Sequence, residues 1–324
     1  MKTQSDLLTP TFRAFSARLG QDPLQVQGPG GNTSIKSDDV MWIKASGTEL
    51  ADAEKTNIFV AVDRTAAVAE AREQAGDGSC KTTGLDPAVT LRPSIETTFH
   101  AALDWAVVAH THSVATITHV ISPEGRSTLD EKLMGLPFVR VPYAKPGLPL
   151  TREILSRIQP DTQVIVLQNH GLICCGDTVE AVDTLIRNVE ARLDLPAAPS
   201  GYDTPPSPSQ DGFTWSEYSW LAQDDRAADF ALSGTYYPDH VVFLGPALPV
   251  RDTSANPPAI LKRGEGVLIR DRATTSQLAM LRCLSDVLAR LPQEWSVDPI
   301  GPAAEAELLD WDAEKYRQAL AERR

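Results

Sequence analysis

The stretch Ser94–His112, SIETTFHAALDWAVVAHTH, constrains this chain more than any other. An acid, Glu96, is followed fourteen residues later by His110 and then by His112. Between them, Ile95, Phe99, Ala102 and Leu103 share one helical face, and Trp105–Ala109 reads as an apolar strand. Alternate residues of a strand point to one side, so His110 and His112 can aim two imidazoles at one point, and the preceding helix can bring Glu96 back over it. A third imidazole, His170, follows another apolar strand, Val164–Leu167, and precedes Gly171. Three neutral imidazoles with an open fourth position are the ligand set of a catalytic zinc-type site, and a nearby carboxylate is the acid or base such a site needs. A lone His-x-His pair is weak as a signal. Yet the chain has six histidines and three of them fall at these strand ends. Spacing alone leaves metal ligands and structural histidines as two open readings.

Two other stretches can hold an anion. Gly28–Lys36, GPGGNTSIK, has glycine-rich backbone that can turn its N–H groups toward a negative charge, with Asn32, Thr33 and Ser34 adding side-chain donors. It is neither a Walker A loop nor a dinucleotide fingerprint, and a tight turn into a strand is the competing reading. Val40–Lys44 reads as a strand ending in KASGT, where Ser46 and Gly47 offer a hydroxyl and a backbone N–H beside Lys44, and Ser94 can complete the pocket. A solvated strand-end lysine is the alternative for Lys44. His100, one helical turn after Glu96, can orient the acid or simply pack. His119 reads as structural, and His240, in YPDH, is the residue to watch in the last third.

The formal net charge is −13, with no Lys/Arg run and no basic stripe, so nothing points to a nucleic-acid partner. A chain this acidic must place its cations locally to bind an anionic substrate. No apolar run reaches about 18 residues and no charged-then-apolar leader is visible, so no membrane span is expected and the expected location is cytoplasmic. Cys80, Cys174, Cys175 and Cys283 form no paired framework and read as buried thiols.

Along the chain, Thr9-Pro10 starts a helix that Gly20 stops. Ile58–Val62 reads as a strand, Ala66–Glu73 as a helix, Phe138–Val141 as a strand, Thr151–Ile158 as a helix and Thr178–Leu193 as a strongly periodic helix. Residues 196–210, PAAPSGYDTPPSPSQ, hold five prolines; they read as a linker between a catalytic region, 1–195, and a smaller α/β region, 211–324. Beyond it, Trp215–Leu232 and Ser276–Leu291 read as helices, Val241–Leu244 and Val267–Ile269 as strands, and Pro302–Leu320 as a last amphipathic helix. GVLIRDRATTSQLAML, from Gly266, echoes GLICCGDTVEAVDTLI, from Gly171. This is a degenerate half-repeat with Glu265 in place of His170, or a chance likeness.

Six short motifs occur in order: GGNTSIK (Gly30–Lys36), KASGT (Lys44–Thr48), PSIE (Pro93–Glu96), HTH (His110–His112), PYAKPG (Pro142–Gly147) and QNHG (Gln168–Gly171). With similar gaps between them, they make residues 10–193 resemble the class II aldolase/adducin family, whose best-known members are the L-fuculose-1-phosphate aldolases. The resemblance implies a three-layer α/β/α fold around a central, largely antiparallel sheet; alternation of strands and helices alone suggests a parallel one. It implies a divalent metal on His110, His112 and His170, Zn2+ first and Mn2+ or Co2+ as alternatives. Glu96 becomes the catalytic acid–base, and Gly31, Asn32, Ser46, Gly47 and Ser94 the substrate-phosphate pocket, with Lys44 beside them. The implied reaction is retro-aldol cleavage of a C–C bond in a phosphorylated ketose through a metal-stabilised enediolate, by a homo-oligomer acting on small sugars or sugar phosphates.

Related sites in the family run decarboxylation of sugar-acid phosphates and 4-epimerisation. Epimerases tend to carry Asp where this chain has Glu96. Adducin-like scaffolds lose the histidines that this chain keeps, and a metal hydrolase with the same three histidines would need neither glycine loop. The chain departs from the fuculose-phosphate enzymes at Ser94-Ile95, where they carry two serines. One phosphate donor is lost, and phosphorylated and unphosphorylated substrates both stay open.

Overall fold

A computed structural model of the chain describes residues 5–198, 201, 203, 209–253 and 256–321. Helix α1 (Pro10–Gln21) starts where the sequence places it: Thr9 Oγ1 accepts the Phe12 N–H at 3.2 Å, and Pro10 sits where a missing N–H costs nothing. Seven strands then build one sheet: β1 (Asn32–Ser37), β2 (Val40–Lys44), β3 (Phe59–Asp63), β4 (Val107–Thr111), β5 (Phe138–Val141), β6 (Val164–Leu167) and β7 (Gly171–Gly176). Their order is β3-β2-β1-β4-β7-β6-β5. Every neighbouring pair is antiparallel except β5 with β6. The largely antiparallel sheet that the family resemblance implies is therefore present, where strand–helix alternation alone points the other way.

Helices α2 (Arg64–Ala71), α3 (Thr97–Ala102), α4 (Val114–Val120), α5 (Pro123–Lys132), α6 (Leu148–Leu155) and α7 (Val179–Leu193) cover both faces of the sheet. Strand alternation divides the core. Ala109, Val166 and Cys174 pack with Phe12, Leu129 and Ile186 of α1, α5 and α7. Val108, Ile165 and Cys175 face the other way, onto Phe99 of α3 and Leu150 and Ile154 of α6. The adjacent cysteines thus sit on opposite faces, and burial raises the pKa of both thiols.

The rest of the chain forms β8 (Phe213–Trp215), α8 (Trp220–Gln223), α9 (Asp225–Ser233), α10 (Pro238–Leu244), β9 (Ala259–Lys262), β10 (Gly266–Arg270), α11 (Thr275–Arg290), α12 (Pro302–Leu309) and α13 (Asp312–Ala321). A second, three-stranded sheet has the order β8-β10-β9. This part shares a core with the first: Val114, Ile117 and Ile121, in and just after α4, pack with Val241, Leu284 and Val287 of α10 and α11.

Three expectations fail here. Val241–Leu244, expected as a strand, lies in α10, a helix whose seven residues are all buried; a short apolar run buried on every side has no period to distinguish helix from strand. Trp215 belongs to a strand, and the expected helix after it is broken at Asp224, which caps α9 by accepting the Ala227 N–H at 2.8 Å. The last amphipathic stretch is two helices with a break at Asp310–Trp311. Of the expected proline-rich linker, residues 199, 200, 202 and 204–208 lie outside the described residues. No helix among the described residues is long and apolar enough to cross a membrane.

Candidate active site

The site lies at one end of β4, the middle strand of the large sheet. Val107, Val108 and Ala109 are buried, and β4 is hydrogen-bonded on both sides, with His110 opposite Asn32 of β1 and opposite Ile173 of β7. His110 is therefore held in a fully paired strand, and His112 follows just beyond its end. His170 reaches the same place from the β6–β7 turn. Asn169 there has φ 52°, a left-handed conformation that Asn tolerates. A Cβ on Gly171 would lie 2.3 Å from the Thr111 carbonyl oxygen, so only glycine lets the turn close against β4. The three imidazole centroids are 5.0, 4.9 and 5.3 Å apart, and one ligand atom from each ring lies within 4.8 Å of the others.

Glu96, just before α3, faces this cluster. Its Oε2 is 3.5 Å from His110 Nε2 and its Oε1 is 3.7 Å from His170 Nε2. Asn32 holds the carboxylate, donating from Nδ2 to Glu96 Oε2 at 2.8 Å and to Ser94 Oγ at 3.2 Å. Asn32 Oδ1 accepts from His100 Nε2, and Ser34 Oγ meets His100 Nδ1 at 2.7 Å. Burial drives the His100 pKa well below its ordinary value, which keeps the ring neutral, with one nitrogen donating and the other accepting. His100 thus orients the acid indirectly, through Asn32.

The residues fit a divalent metal. His110 Nδ1 donates to the Leu172 carbonyl at 3.0 Å, which leaves Nε2 with its lone pair turned inward. His110 Nε2, His170 Nδ1 and Glu96 Oε1 are buried without a hydrogen-bond partner among the described residues; such atoms carry a desolvation cost unless a ligand satisfies them. Burial lowers the pKa of His110 against the pull of Glu96, and burial followed by the other two imidazoles lowers that of His170. Both rings stay neutral near pH 7, as metal ligation requires.

The expected anion-binding residues lie around the same cavity, which includes Gly31, Asn32, Lys44, Ser46, Gly47 and Ser94 in its wall. Lys44 is buried rather than solvated. Its Nζ donates to the Pro29 and Thr48 carbonyls at 2.8 and 2.7 Å, and burial pushes its pKa down to about 7. Asn32, expected as a phosphate donor, spends its amide on Glu96 and Ser94. Of the remaining histidines, His119 Nδ1 bonds the Ala115 carbonyl at 2.8 Å, and His240 sits between Tyr236 and Tyr237. Neither belongs to the three-histidine cluster.

Sequence reasoning missed Asp239, Glu314 and Arg317, which line the cavity from α10 and α13. Asp239 Oδ2 is 3.3 Å from His112 Nδ1. Arg317 donates to both Asp239 oxygens at 2.9 and 3.1 Å, and to Glu314. Burial works against the Asp239 charge, but Arg317 and His112 hold its carboxyl well below the usual range. The available signal was slight: Asp239 adjoins His240, and Glu314 and Arg317 are spaced like an ordinary solvated i,i+3 pair.

Residues 14–194 match the family model described as Class II Aldolase and Adducin N-terminal domain. A curated relative, the "Uncharacterized oxidoreductase YuxG" of Bacillus subtilis, is 32% identical over 181 residues, which are 50% of this chain and 25% of that protein. The chain thus matches about a quarter of that relative's length. Among solved structures, the N-terminal class II aldolase domain of a conserved Thermoplasma acidophilum protein is 28% identical, with a TM-score of 0.50 over 60% of this chain and 94% of that one. An L-fuculose 1-phosphate aldolase from Glaciozyma antarctica aligns at 13% identity and a TM-score of 0.40 over 59% of this chain and 73% of that one.

Proposed function

The chain belongs to the class II aldolase and adducin family, and from that premise we propose that it is a metal-dependent lyase that cleaves a C–C bond of a ketose, a sugar phosphate by first preference, in a retro-aldol reaction. The observation that carries this reading is the Glu96 carboxylate, 3.5 and 3.7 Å from two imidazoles of a buried three-histidine cluster. His110, His112 and His170 would hold the metal, with Zn2+ the ion best suited to three neutral imidazoles and an open position. When bound, such an ion supplies Lewis acidity to a carbonyl oxygen next to the breaking bond.

The protein's own residues do the rest. As the C–C bond breaks, the hydroxyl on the departing carbon gives its proton to water and becomes the aldehyde oxygen, the electron pair stays on the carbon next to the carbonyl, and Glu96 delivers to that carbon a proton it has taken from water; in the synthetic direction each transfer is reversed. Asn32 fixes the carboxylate for that transfer, and His100 fixes Asn32. Lys44, Ser46, Gly47 and Ser94 anchor the distal anionic group, turning remote binding into orientation of the reacting carbon.

The test is release of dihydroxyacetone phosphate, read by a coupled reduction, across a panel of ketose 1-phosphates with and without a chelator. Release that the chelator stops supports the reading and begins to identify the sugar. No release from any member by protein with metal bound would favour the decarboxylase reading and substrates lacking that phosphate, the latter in keeping with the single serine at Ser94-Ile95.

A further inference from the structure

Every metal-ligand candidate lies within the family match, residues 14–194, yet one wall of the cavity comes from outside it. That wall is built from Asp239 on α10 and from Glu314 and Arg317 on α13. We propose that Asp239 and Arg317 are positioning residues of the metal centre, and that α13 is a lid whose docking completes it. The inference rests on reading His110, His112 and His170 as metal ligands.

The chain of contacts runs from the lid to a ligand. Arg317 grips Asp239 with both terminal nitrogens, and Asp239 Oδ2 lies 3.3 Å from His112 Nδ1, an ion-pair contact that leaves Nε2 as the nitrogen of His112 free to ligate. A carboxylate behind a ligating imidazole sets its tautomer and ring direction and raises its basicity. Gly30 shows how tightly this pair is built in: a Cβ there would lie 2.8 Å from Asp239 Oδ2 and 2.8 Å from His112 Nδ1. The third position of the GPGG turn, Gly30, is thus a clearance for the Asp239–His112 contact.

The lid character follows from size and from what holds α13 down. The cavity over the histidines measures about 30 Å³, room for about one water or an ion, against some hundreds of Å³ in sites that admit small molecules. A ketose enters only if part of the wall moves. Of the wall elements, α10 is buried along its whole length, whereas among the described side chains of α13 the two buried ones are both charged, Glu314 and Arg317. A helix docked by charge has little apolar surface to hold it. Elsewhere it rests on cations at the mouth: Tyr316 under Arg92 at 4.4 Å, with Trp311, just before the helix, under Lys145 at 4.8 Å. Leu320 fills the space in front of Gly47, where a Cβ would meet it at 2.3 Å. Arg317 is shared between Asp239 and Glu314, whose pKa burial pushes up to about 7, so the latch ties α13 directly to the carboxylate behind His112. Lid docking and metal binding must then favour each other, and linkage makes the effect reciprocal.

The experiment measures Zn2+ affinity by competition with a chromophoric chelator, and hydrogen exchange over Asp312–Leu320 with and without Zn2+, on the full chain. Asp239→Asn should bind Zn2+ about 10–100-fold more weakly. Gly30→Ala, which removes no charge, should move the same way. Arg317→Leu should also weaken binding, and Arg317→Lys should recover part of the loss. In the unmutated protein Zn2+ should slow exchange across α13 at least about tenfold, and Asp239→Asn should lose that effect. Equal affinity of Asp239→Asn and the parent, or α13 amides indifferent to Zn2+, would overturn the proposal while leaving the ligand reading intact. A parent protein that binds no Zn2+ would sink both.

Discussion

His110→Ala should abolish tight divalent-metal binding, and turnover should go with it. The ring is fully buried and belongs to the central strand of the sheet, so no neighbouring side chain can swing in to replace it. Two imidazoles and one carboxylate would remain, and the Leu172 carbonyl would lose its donor. Metal content after dialysis should fall from one ion per chain to none. Thermal unfolding gives a second readout. An ion present at a hundred times its Kd adds about 2.7 kcal/mol to stability, and the variant should lose that metal-dependent increment. A variant that still carries one tightly held ion per chain would show that the ligands lie elsewhere.

Glu96→Gln separates ligation from chemistry. The amide is nearly isosteric, and its oxygen can still accept from Asn32 Nδ2, so the local network survives and metal binding should be close to normal. What is lost is the group that can take a proton and return it. The expected fall in kcat is about two to four decades, the usual scale for general acid–base catalysis, equivalent to roughly 3–5.5 kcal/mol of barrier. Turnover near that of the parent protein would remove Glu96 from the mechanism. A large fall accompanied by loss of metal would instead make it chiefly a ligand.

What the sequence made legible was local. An apolar run followed by alternating histidines places His110 and His112 in and just past β4 on backbone geometry alone, and Asn169-His170-Gly171 carries its turn chemistry in its residue types. The acid is legible for the same reason, since Glu96 opens the helix that feeds the strand. The antiparallel sheet was not legible from alternation; that order came from resemblance, because strand direction is set by long-range pairing. Asn32 looked like an anion donor because nothing local says that its amide turns to Glu96. The C-terminal wall was least legible of all. Asp239 meets His112, and Arg317 meets Asp239 across 78 residues of sequence; such contacts have no period or motif. The apolar run Val241–Leu244 also misled, since uniform apolarity hides a helix as readily as a strand.

The most direct test of the account needs no knowledge of the sugar. Dihydroxyacetone phosphate and free dihydroxyacetone are each incubated with the metal-loaded protein in deuterated water, and proton NMR follows loss of signal at the hydroxymethyl carbon next to the carbonyl. If Glu96 moves a proton at that carbon beside a metal on His110, His112 and His170, deuterium enters without any aldehyde present. Chelation stops it, and Glu96→Gln slows it by about two to four decades. Absence of exchange into both compounds, with one metal bound per chain, would contradict the account and leave the three histidines serving some other chemistry.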